Sequence, residues 1–148
     1  ARFKDLYLSG GVYLGGVGAA NHLDDYEEGT VTLTLGASVT NPTISEGNTF
    51  TAYYTKVGDK VTVTGYTGTK TITNAGSGIA KISGLPFNCQ ASAYAVVTLA
   101  HNTMFTSTHT GYIEPNTDDW YPVGSHSTSG VAYPSGAKTF MFTATYLT

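Results

Sequence analysis

The sequence predicts an all-β domain, an antiparallel, jelly-roll-like β-sandwich that follows a short glycine-rich stem. The composition favours strands and tight turns, because Thr, Gly and Tyr are abundant while Leu, Glu, Lys and Arg are sparse. Several segments alternate apolar and polar residues with a period of two, which is typical of half-buried strands. Turn signals recur about every eight to twelve residues, which is the spacing of roughly seven or eight short strands in a sandwich.

The overall composition excludes several classes of protein. The 148 residues suit one domain with a sizeable core. Only 11% of the residues are charged and the net charge is −3, so the basic surface that binds nucleic acid is absent. No apolar run is long enough to span a bilayer, and we predict no membrane insertion. Since the chain starts with Ala rather than Met, we expect a fragment of a longer polypeptide or a processed product.

The first element is a repeat of two short apolar triplets, "LYL" and "VYL", separated by paired glycines. A strand of two or three residues buries too little surface to offset the entropy lost on ordering it. The segment makes sense where identical chains run side by side and share the burial. We therefore predict a trimeric stem whose contacts come from Leu6, Leu8, Val12 and Leu14. An ordinary glycine-rich hairpin at the edge of the domain is the alternative.

An acidic hinge separates the stem from the strands. Asn21 or Asp24 is a possible cap for one helical turn carrying the acidic residues up to Glu28, and Gly29 is suited to end that turn. The predicted units are therefore a stem and hinge over residues 1–29 and a β-domain over residues 30–148. The crowded like charges of the hinge favour a solvated turn rather than a catalytic pair.

The strands of the β-domain are predicted from their alternation. A hairpin turns at Gly58-Asp59, a dipeptide able to take positive φ. The segment "SAYAVVTLA" is strongly apolar on both faces, which predicts a central strand. Residues 101–137 are turn-rich and contain short strands at most. The residues that alternation groups on one face of their strands are Val31, Leu33, Leu35, Phe50, Ala52, Tyr54, Val61, Val63, Phe140, Phe142, Ala144 and Tyr146.

The segment "GYIEPNTDDWYPVG" (residues 111–124) is the predicted ligand-binding site. Aromatic rings stack on the C–H faces of sugars, carboxylates accept hydrogen bonds from hydroxyl groups, and loops on rigid scaffolds commonly carry binding groups. Alternatives are that the tryptophan plugs one end of the sandwich or a subunit interface, and that the three acidic residues bind Ca²⁺. The candidate residues are Tyr112, Glu114, Asp118, Asp119, Trp120 and Tyr121.

No residues in the sequence form a persuasive catalytic or metal-binding motif. Glycoside hydrolysis usually requires two carboxylates across a sugar, and no convincing pair is evident. The stretch "GSHSTSG" places Ser and His close in sequence, but a triad is defined by geometry in space. The four histidines lack metal-ligand spacing, and Cys89, the single cysteine, is expected to be a small buried side chain. We predict no enzyme, no cofactor and no metal, with a histidine site on a threefold axis left open.

Four stretches of the sequence resemble a known group of proteins. "RFKDLYLSGGVYLGG" (residues 2–16) and "NHLDDYEEGT" (residues 21–30), followed by a Thr-rich strand, are similar to the junction between shaft and C-terminal β-domain in bacteriophage tail fibres and related virion proteins. "YYTKVGDKVTVTGY" (residues 53–66) and "ISGLPF" (residues 82–87) also resemble that domain. Residues 101–137 match nothing in the family, so no receptor-binding residue is carried over.

The resemblance implies an extracellular virion protein on the phage tail, a homotrimer with a tip facing the host. Its implied partners are a host cell-surface polysaccharide or protein receptor and other virion tail proteins. Two functions stay open. One is a receptor-binding tip domain that binds a host glycan. The other is a structural virion domain, such as a trimerising cap, a collar or a baseplate appendage.

Overall fold

The computed structural model describes residues 4–23, 25–105, 108–124 and 130–148. Its regular structure there consists of β-strands and one 3₁₀ turn at Ala19–Asn21. In chain order the strands are β1 (Val12–Tyr13), β2 (His22–Leu23), β3 (Tyr26–Ala37), β4 (Thr43–Ile44), β5 (Thr49–Val57), β6 (Lys60–Tyr66), β7 (Lys70–Asn74), β8 (Ala80–Ser83), β9 (Ala95–Ala100), β10 (Thr110–Ile113), β11 (Trp120–Val123), β12 (Gly136–Lys138) and β13 (Met141–Leu147).

Eight of these strands form a closed barrel in the order β10-β11-β8-β3-β5-β6-β13-β9, with β9 pairing back to β10. Every neighbouring pair in the barrel is antiparallel. A three-stranded sheet (β12-β7-β4) and a two-stranded sheet (β1-β2) lie outside it. The prediction of an all-β, antiparallel fold is therefore confirmed.

The predicted two-sheet sandwich is replaced by this closed barrel. Strand β3 links neighbours on both sides, because residues 26–34 pair with β5 and residues 34–37 pair with β8. Strand β9 likewise pairs with β10 on one side and with β13 on the other. Closure gives every barrel strand two partners and removes the free edges that a pair of open sheets leaves. Alternation along single strands does not distinguish the two architectures, since both bury one face of each strand.

The barrel interior holds the hydrophobic core, and its inward residues follow the predicted alternation. The end strand β13 is a clear case, with Phe142, Ala144 and Tyr146 buried and the residues between them exposed. Leu33, Leu35, Ala52, Val61 and Val63 have no exposed surface. Cys89 is buried as expected, and burial raises the pKa of its thiol. Of the residues that alternation groups on one face of these strands, Val31 and Tyr54 are partly buried and pack against the core, and the others are buried.

The backbone conformation or close packing at two positions of the β5-β6 hairpin explains why each is glycine. Gly58 takes a positive φ of 56°, which confirms the predicted Gly58-Asp59 turn. Gly65 lies between Ala52 and Phe142 in neighbouring strands. A Cβ at position 65 would lie 2.5 Å from Phe142 Cε1 and 3.1 Å from Ala52 Cβ, so only glycine fits without displacing the core.

Strand β9 is a central strand as predicted, since it pairs with both β10 and β13, but only one of its faces is buried. Val97 and Leu99 face the core, whereas Val96 is 65% exposed. In a barrel each strand has one face toward the interior and one toward solvent, so β9 has two barrel neighbours but only one buried face. Val96 is therefore an apolar side chain on the outer surface of the barrel.

The predicted helical turn in the hinge is also wrong. The acidic residues Glu27 and Glu28 lie within β3, which begins at Tyr26, four residues before the predicted boundary at Thr30. Pairing with β5 supplies the backbone hydrogen bonds, and Glu27 accepts a hydrogen bond from the Tyr54 hydroxyl. The suggested cap Asp24 lies outside the described residues.

The N-terminal segment contains a small hairpin with exposed apolar side chains. Val12 of β1 pairs with Leu23 of β2, and the Tyr13 ring stacks on His22 with centroids 4.5 Å apart. The predicted stem residues Leu6, Leu8 and Leu14 are 76%, 52% and 60% exposed in the single chain. Apolar side chains at this exposure are suited to contacts with other chains, and the trimeric stem stays a prediction.

Candidate functional site

Strands β10 and β11 place two tyrosines side by side on the outer face of the barrel. Tyr112 is directly opposite Tyr121 in the antiparallel register. Their rings are stacked, with centroids 5.3 Å apart and planes at 23°. Gly111, Ile113, Trp120 and Pro122 on either side of them point inward and are buried. The hairpin is thus held by the core while its two tyrosines face outward.

A third tyrosine extends this pair along the surface. Tyr94, just before β9, is 69% exposed and its ring meets that of Tyr112 at 5.8 Å and 60°. Val96, two residues later, pairs directly with Tyr112. We call Tyr94, Tyr112 and Tyr121 the tyrosine ladder. Sequence analysis missed Tyr94, because its position depends on the register between β9 and β10, for which the sequence has no local signal.

Two carboxylates lie beside the tyrosine ladder. Lys81 on β8 forms an ion pair with Asp119, with Nζ and Oδ2 2.9 Å apart. Burial, and then the negative charges of Asp119 and Glu114 that a phenolate would face, together raise the pKa of Tyr121 to about 12. Burial and Glu114 likewise raise the pKa of Tyr112. Both phenols are therefore neutral hydrogen-bond donors at physiological pH.

The connection between β10 and β11 is fixed by local hydrogen bonds. Thr117 Oγ1 donates to the Glu114 carbonyl at 2.9 Å, and Asn116 adopts a positive φ of 58°. The backbone N–H of Leu85 donates to the Asp118 carbonyl at 3.0 Å. Asp118 thus anchors the turn through its backbone, and its side chain is partly exposed. This turn holds Glu114 and Asp119 in place beside the rings.

Trp120 lies inside the barrel and is removed from the candidate site. Its side chain has no exposed surface, and its ring contacts Phe142 and Phe140 at centroid distances of 5.3 and 5.8 Å. The alternation of β11 explains this, since Trp120 must point inward when Tyr121 points outward. Among the described residues its Nε1 has no hydrogen-bond partner. Packing, the alternative interpretation, is what the structure supports.

The predicted site is therefore divided between surface and core. Tyr112, Tyr121, Glu114 and Asp119 come together on one face, with Asp118 at the adjoining turn. They lie on or beside barrel strands rather than in a long loop, because β10 and β11 are integral to the barrel. Strand placement favours binding, since the backbone beneath the rings is fixed before a ligand arrives.

A separate groove of about 420 Å³ lies on the outer face of the barrel. It crosses strands β5, β6, β13 and β9, and its surface is formed mostly by carbon atoms. Sequence analysis did not anticipate it. The side chains and glycine that line it are Tyr53, Thr64, Gly65, Tyr66, Thr98, Ala100, Met141, Phe142 and Thr143.

Neither a metal centre nor a membrane-spanning helix is found in the described parts of the chain. No three His, Cys, Asp or Glu residues among them converge closely enough to hold a metal ion, and this includes Glu114, Asp118 and Asp119. No helix there is long and apolar enough to cross a membrane. His126 and the serines around it lie outside the described residues.

Comparisons with known proteins give no relative on which to base a function. No protein-family model matches the chain, and no curated protein or solved structure shows significant similarity to it. The functional assignment therefore depends on the geometry of the tyrosine ladder and on the sequence phrases described above.

Proposed function

We propose that the chain is the C-terminal receptor-binding tip domain of a bacteriophage tail fibre and that it binds a host cell-surface glycan. The observation that carries the proposal is the tyrosine ladder, three contacting rings on a rigid outer face with two carboxylates beside them. The resemblance of residues 2–30 to the junction of phage tail fibres supplies the biological setting.

The ladder has the chemistry that sugar recognition requires. Tyr94 is 69% exposed, and Tyr112 and Tyr121 are partly exposed, so the ladder offers aromatic surface to the C–H groups of a pyranose without rearrangement. Glu114 and Asp119 are acceptors for sugar hydroxyl groups, while the neutral phenols of Tyr112 and Tyr121 donate. Lys81 holds Asp119 in position at 2.9 Å. A small number of fixed polar groups beside aromatic surface is the usual composition of a ligand site.

Assembly through the stem strengthens weak binding by single sites. We propose that three chains meet along residues 4–23, where Leu6, Leu8, Val12 and Leu14 shield one another from water. Three ladders on one fibre then engage the same surface, so the effective affinity exceeds that of each site through avidity. The virion, outside the cell, is the expected location.

A structural virion domain is the second candidate, and the apolar groove on the barrel favours it. A trimerising cap, collar or baseplate appendage uses apolar surface for contact with other tail proteins, and needs no sugar site. The two functions differ in what happens to the ladder in the intact particle. A tip domain leaves Tyr112 and Tyr121 accessible, whereas a structural domain that buries residues 101–137 against another virion protein covers them.

The proposal assigns binding rather than catalysis to the carboxylates. Asp119 is engaged by Lys81, and Glu114 is adjacent to the Tyr121 phenol. If the chain hydrolysed host polysaccharide, new reducing ends would appear, and Asp119→Asn or Glu114→Gln would abolish their release. Under the proposal the wild-type chain releases none.

The experiment that tests the proposal is binding of the labelled full chain to arrays of bacterial surface glycans. We expect binding to at least one glycan, and a loss of about tenfold or more, equivalent to about 1.4 kcal/mol, in the double variant Tyr112→Thr/Tyr121→Thr. Threonine keeps the strand propensity of these outward positions. Tyr26→Thr, an exposed tyrosine on β3, is the matched control and should bind like the wild type. Absence of binding, or equal binding by the double variant, would overturn the proposal.

A further inference from the structure

The tyrosine ladder belongs to a part of the chain whose fixed charges are all negative. No lysine or arginine occurs between Lys81 and Lys138, whereas Glu114, Asp118 and Asp119 all fall in that stretch. Strands β9, β10 and β11, which place the three rings, contain no charged residue. The charge beside the ladder therefore comes from the turn between β10 and β11 and from Lys81 on β8.

The lysine that lies beside the ladder is already engaged. Lys81 Nζ lies 2.9 Å from Asp119 Oδ2, and the two side chains are only 30% and 17% exposed. An anionic sugar that recruited Lys81 would leave the partly buried Asp119 carboxylate unpaired, which is costly. The pair adds almost no net charge to the site, and Lys81 is not free to bind an anion.

Glu114 supplies a negative charge that no such pair balances. Among the described residues it forms no ion pair. Burial is the largest cause of the raised pKa values of Tyr112 and Tyr121, and the negative charge of Glu114 contributes to both. A phenolate and a sugar carboxylate are both anions. The charge that disfavours a phenolate on these rings therefore also disfavours a carboxylate or phosphate group of a ligand placed against them.

The lysines on other strands do not compensate for this charge. Lys56 on β5 is bonded to Asp25. Lys60 is on β6, which β13 separates from β9, and Lys138 is on β12 in the sheet outside the barrel. A ligand on the ladder thus meets carboxylates at short range and no unpaired cation on a neighbouring strand.

We propose that the tyrosine ladder binds glycans without negative charge and discriminates against sugars that carry carboxylate or phosphate groups. This inference rests on the proposed function and names the class of glycan that the same site takes. A neutral sugar has hydroxyl groups that donate to Glu114, while its C–H groups contact the rings. An anionic group has no proton to donate to a carboxylate and is repelled by it, so repulsion contributes to specificity along with attraction.

The test uses an array of bacterial surface polysaccharides printed as matched pairs. Polymers that contain uronic acids are printed as isolated and after reduction of the carboxyl groups to primary alcohols. Neutral polymers are printed as isolated and after oxidation of primary alcohols to carboxylates. Binding of the full chain is measured at about pH 8, where histidines of ordinary pKa are neutral. For each polymer that binds, we expect the uncharged form to bind about tenfold or more tightly than the anionic form.

Two changes should narrow this preference. Glu114→Gln keeps the size of the side chain and an acceptor oxygen but removes the charge, so the ratio of the two affinities should fall about threefold or more. Salt raised from about 0.01 M to about 1 M should also reduce the ratio, because it screens the repulsion. Glu46→Gln is the matched control. It removes one negative charge at an exposed position beside β4, outside the barrel, and should keep the full ratio.

The outcome is separable from that of the proposed function. A chain that binds anionic forms as tightly as uncharged forms, through Tyr112 and Tyr121, would keep the receptor function and overturn this inference. A ratio that Glu114→Gln leaves unchanged, or that Glu46→Gln lowers equally, would also overturn it, since the ladder's own charge would not be the cause. Binding to neither form of any polymer would remove the receptor function, and this inference with it.

Discussion

Tyr112 lies directly opposite Tyr121 across β10 and β11, and their rings stack with centroids 5.3 Å apart. Neither ring is needed to fill the core, since Ile113 and Trp120 do so from the adjacent inward positions. A stacked aromatic pair on an outer face is therefore available for contact with another molecule. We make four predictions, which concern the charge beside Tyr121, stability at alkaline pH, packing at Gly65 and the stem.

The first prediction concerns the charge beside Tyr121. Its pKa is raised to about 12 by burial and then by Asp119 and Glu114. Asp119→Asn should lower this pKa toward 10, because a negative neighbour is removed and Lys81 loses its partner. The measurement is a tyrosinate absorbance titration, with Tyr121→Phe identifying the transition. An unchanged midpoint in Asp119→Asn would contradict the arrangement of Lys81, Asp119 and Tyr121.

The second prediction concerns stability at alkaline pH. Burial raises the pKa values of Tyr121, Tyr133 and Tyr146 above the ordinary value of 10.0. An unfolded chain then releases these protons at lower pH than the folded chain, so the stabilisation is complete below about pH 10 and falls as pH rises toward 12 and beyond. The free energy of unfolding, measured in urea at a series of pH values, should decline over this range.

The control for alkaline stability uses single Tyr→Phe variants. Tyr133→Phe removes one buried phenol and should flatten part of the decline. Tyr7→Phe, at a side chain that is 90% exposed, should leave the pH profile as in the wild type. A decline identical in all three proteins would show that Tyr133 does not contribute.

The third prediction concerns the close contact at Gly65. A Cβ there would lie 2.5 Å from Phe142 in the core. Gly65→Ala should therefore destabilise the barrel by about 1–3 kcal/mol, the usual cost of overpacking. Gly10→Ala is the control, since its Cβ meets nothing within 4 Å. The measurement is the free energy of unfolding of both variants by chemical denaturation. Equal values for Gly65→Ala and Gly10→Ala would contradict the tight packing of β6 against β13.

The fourth prediction concerns the stem. Leu8→Asp or Leu14→Asp should dissociate the assembly while the barrel stays folded, because a carboxylate in a shared apolar stem loses its hydration. Val39→Asp, at an exposed apolar position outside both the stem and the apolar groove of the barrel, is the control. Mass by light scattering and strand content by circular dichroism together test this. If both stem variants keep the mass of the wild-type assembly, the stem does not hold the chains together and the barrels do.

Much of the barrel could be predicted because its signals are local. Alternation placed Phe142 and Ala144 on the buried face, and the Gly58-Asp59 turn needed only its own backbone conformation. Closure depends instead on which distant strands pair. The antiparallel contact between β9 and β10 that completes the ring has no counterpart in the sequence pattern of either strand.

The candidate site was only partly predictable for the same reason. The aromatic and acidic residues of "GYIEPNTDDWYPVG" predict Tyr112 and Tyr121 as site residues, but they predict Trp120 as well if the segment is a loop. Once residues 120–123 are a strand, adjacent residues must face opposite sides, and Trp120 belongs to the core. Tyr94 was missed because its contact with Tyr112 joins residues from two strands whose register is set by the fold.

The most direct test of the central claim is side-chain NMR of the full chain during titration with a glycan that it binds on the array. The account predicts that ring resonances of Tyr94, Tyr112 and Tyr121 shift together, while the Trp120 indole resonance stays unchanged because it is buried. Shifts confined to residues that line the apolar groove of the barrel, with none on the tyrosine ladder, would contradict the assignment of the ladder as the receptor-binding site.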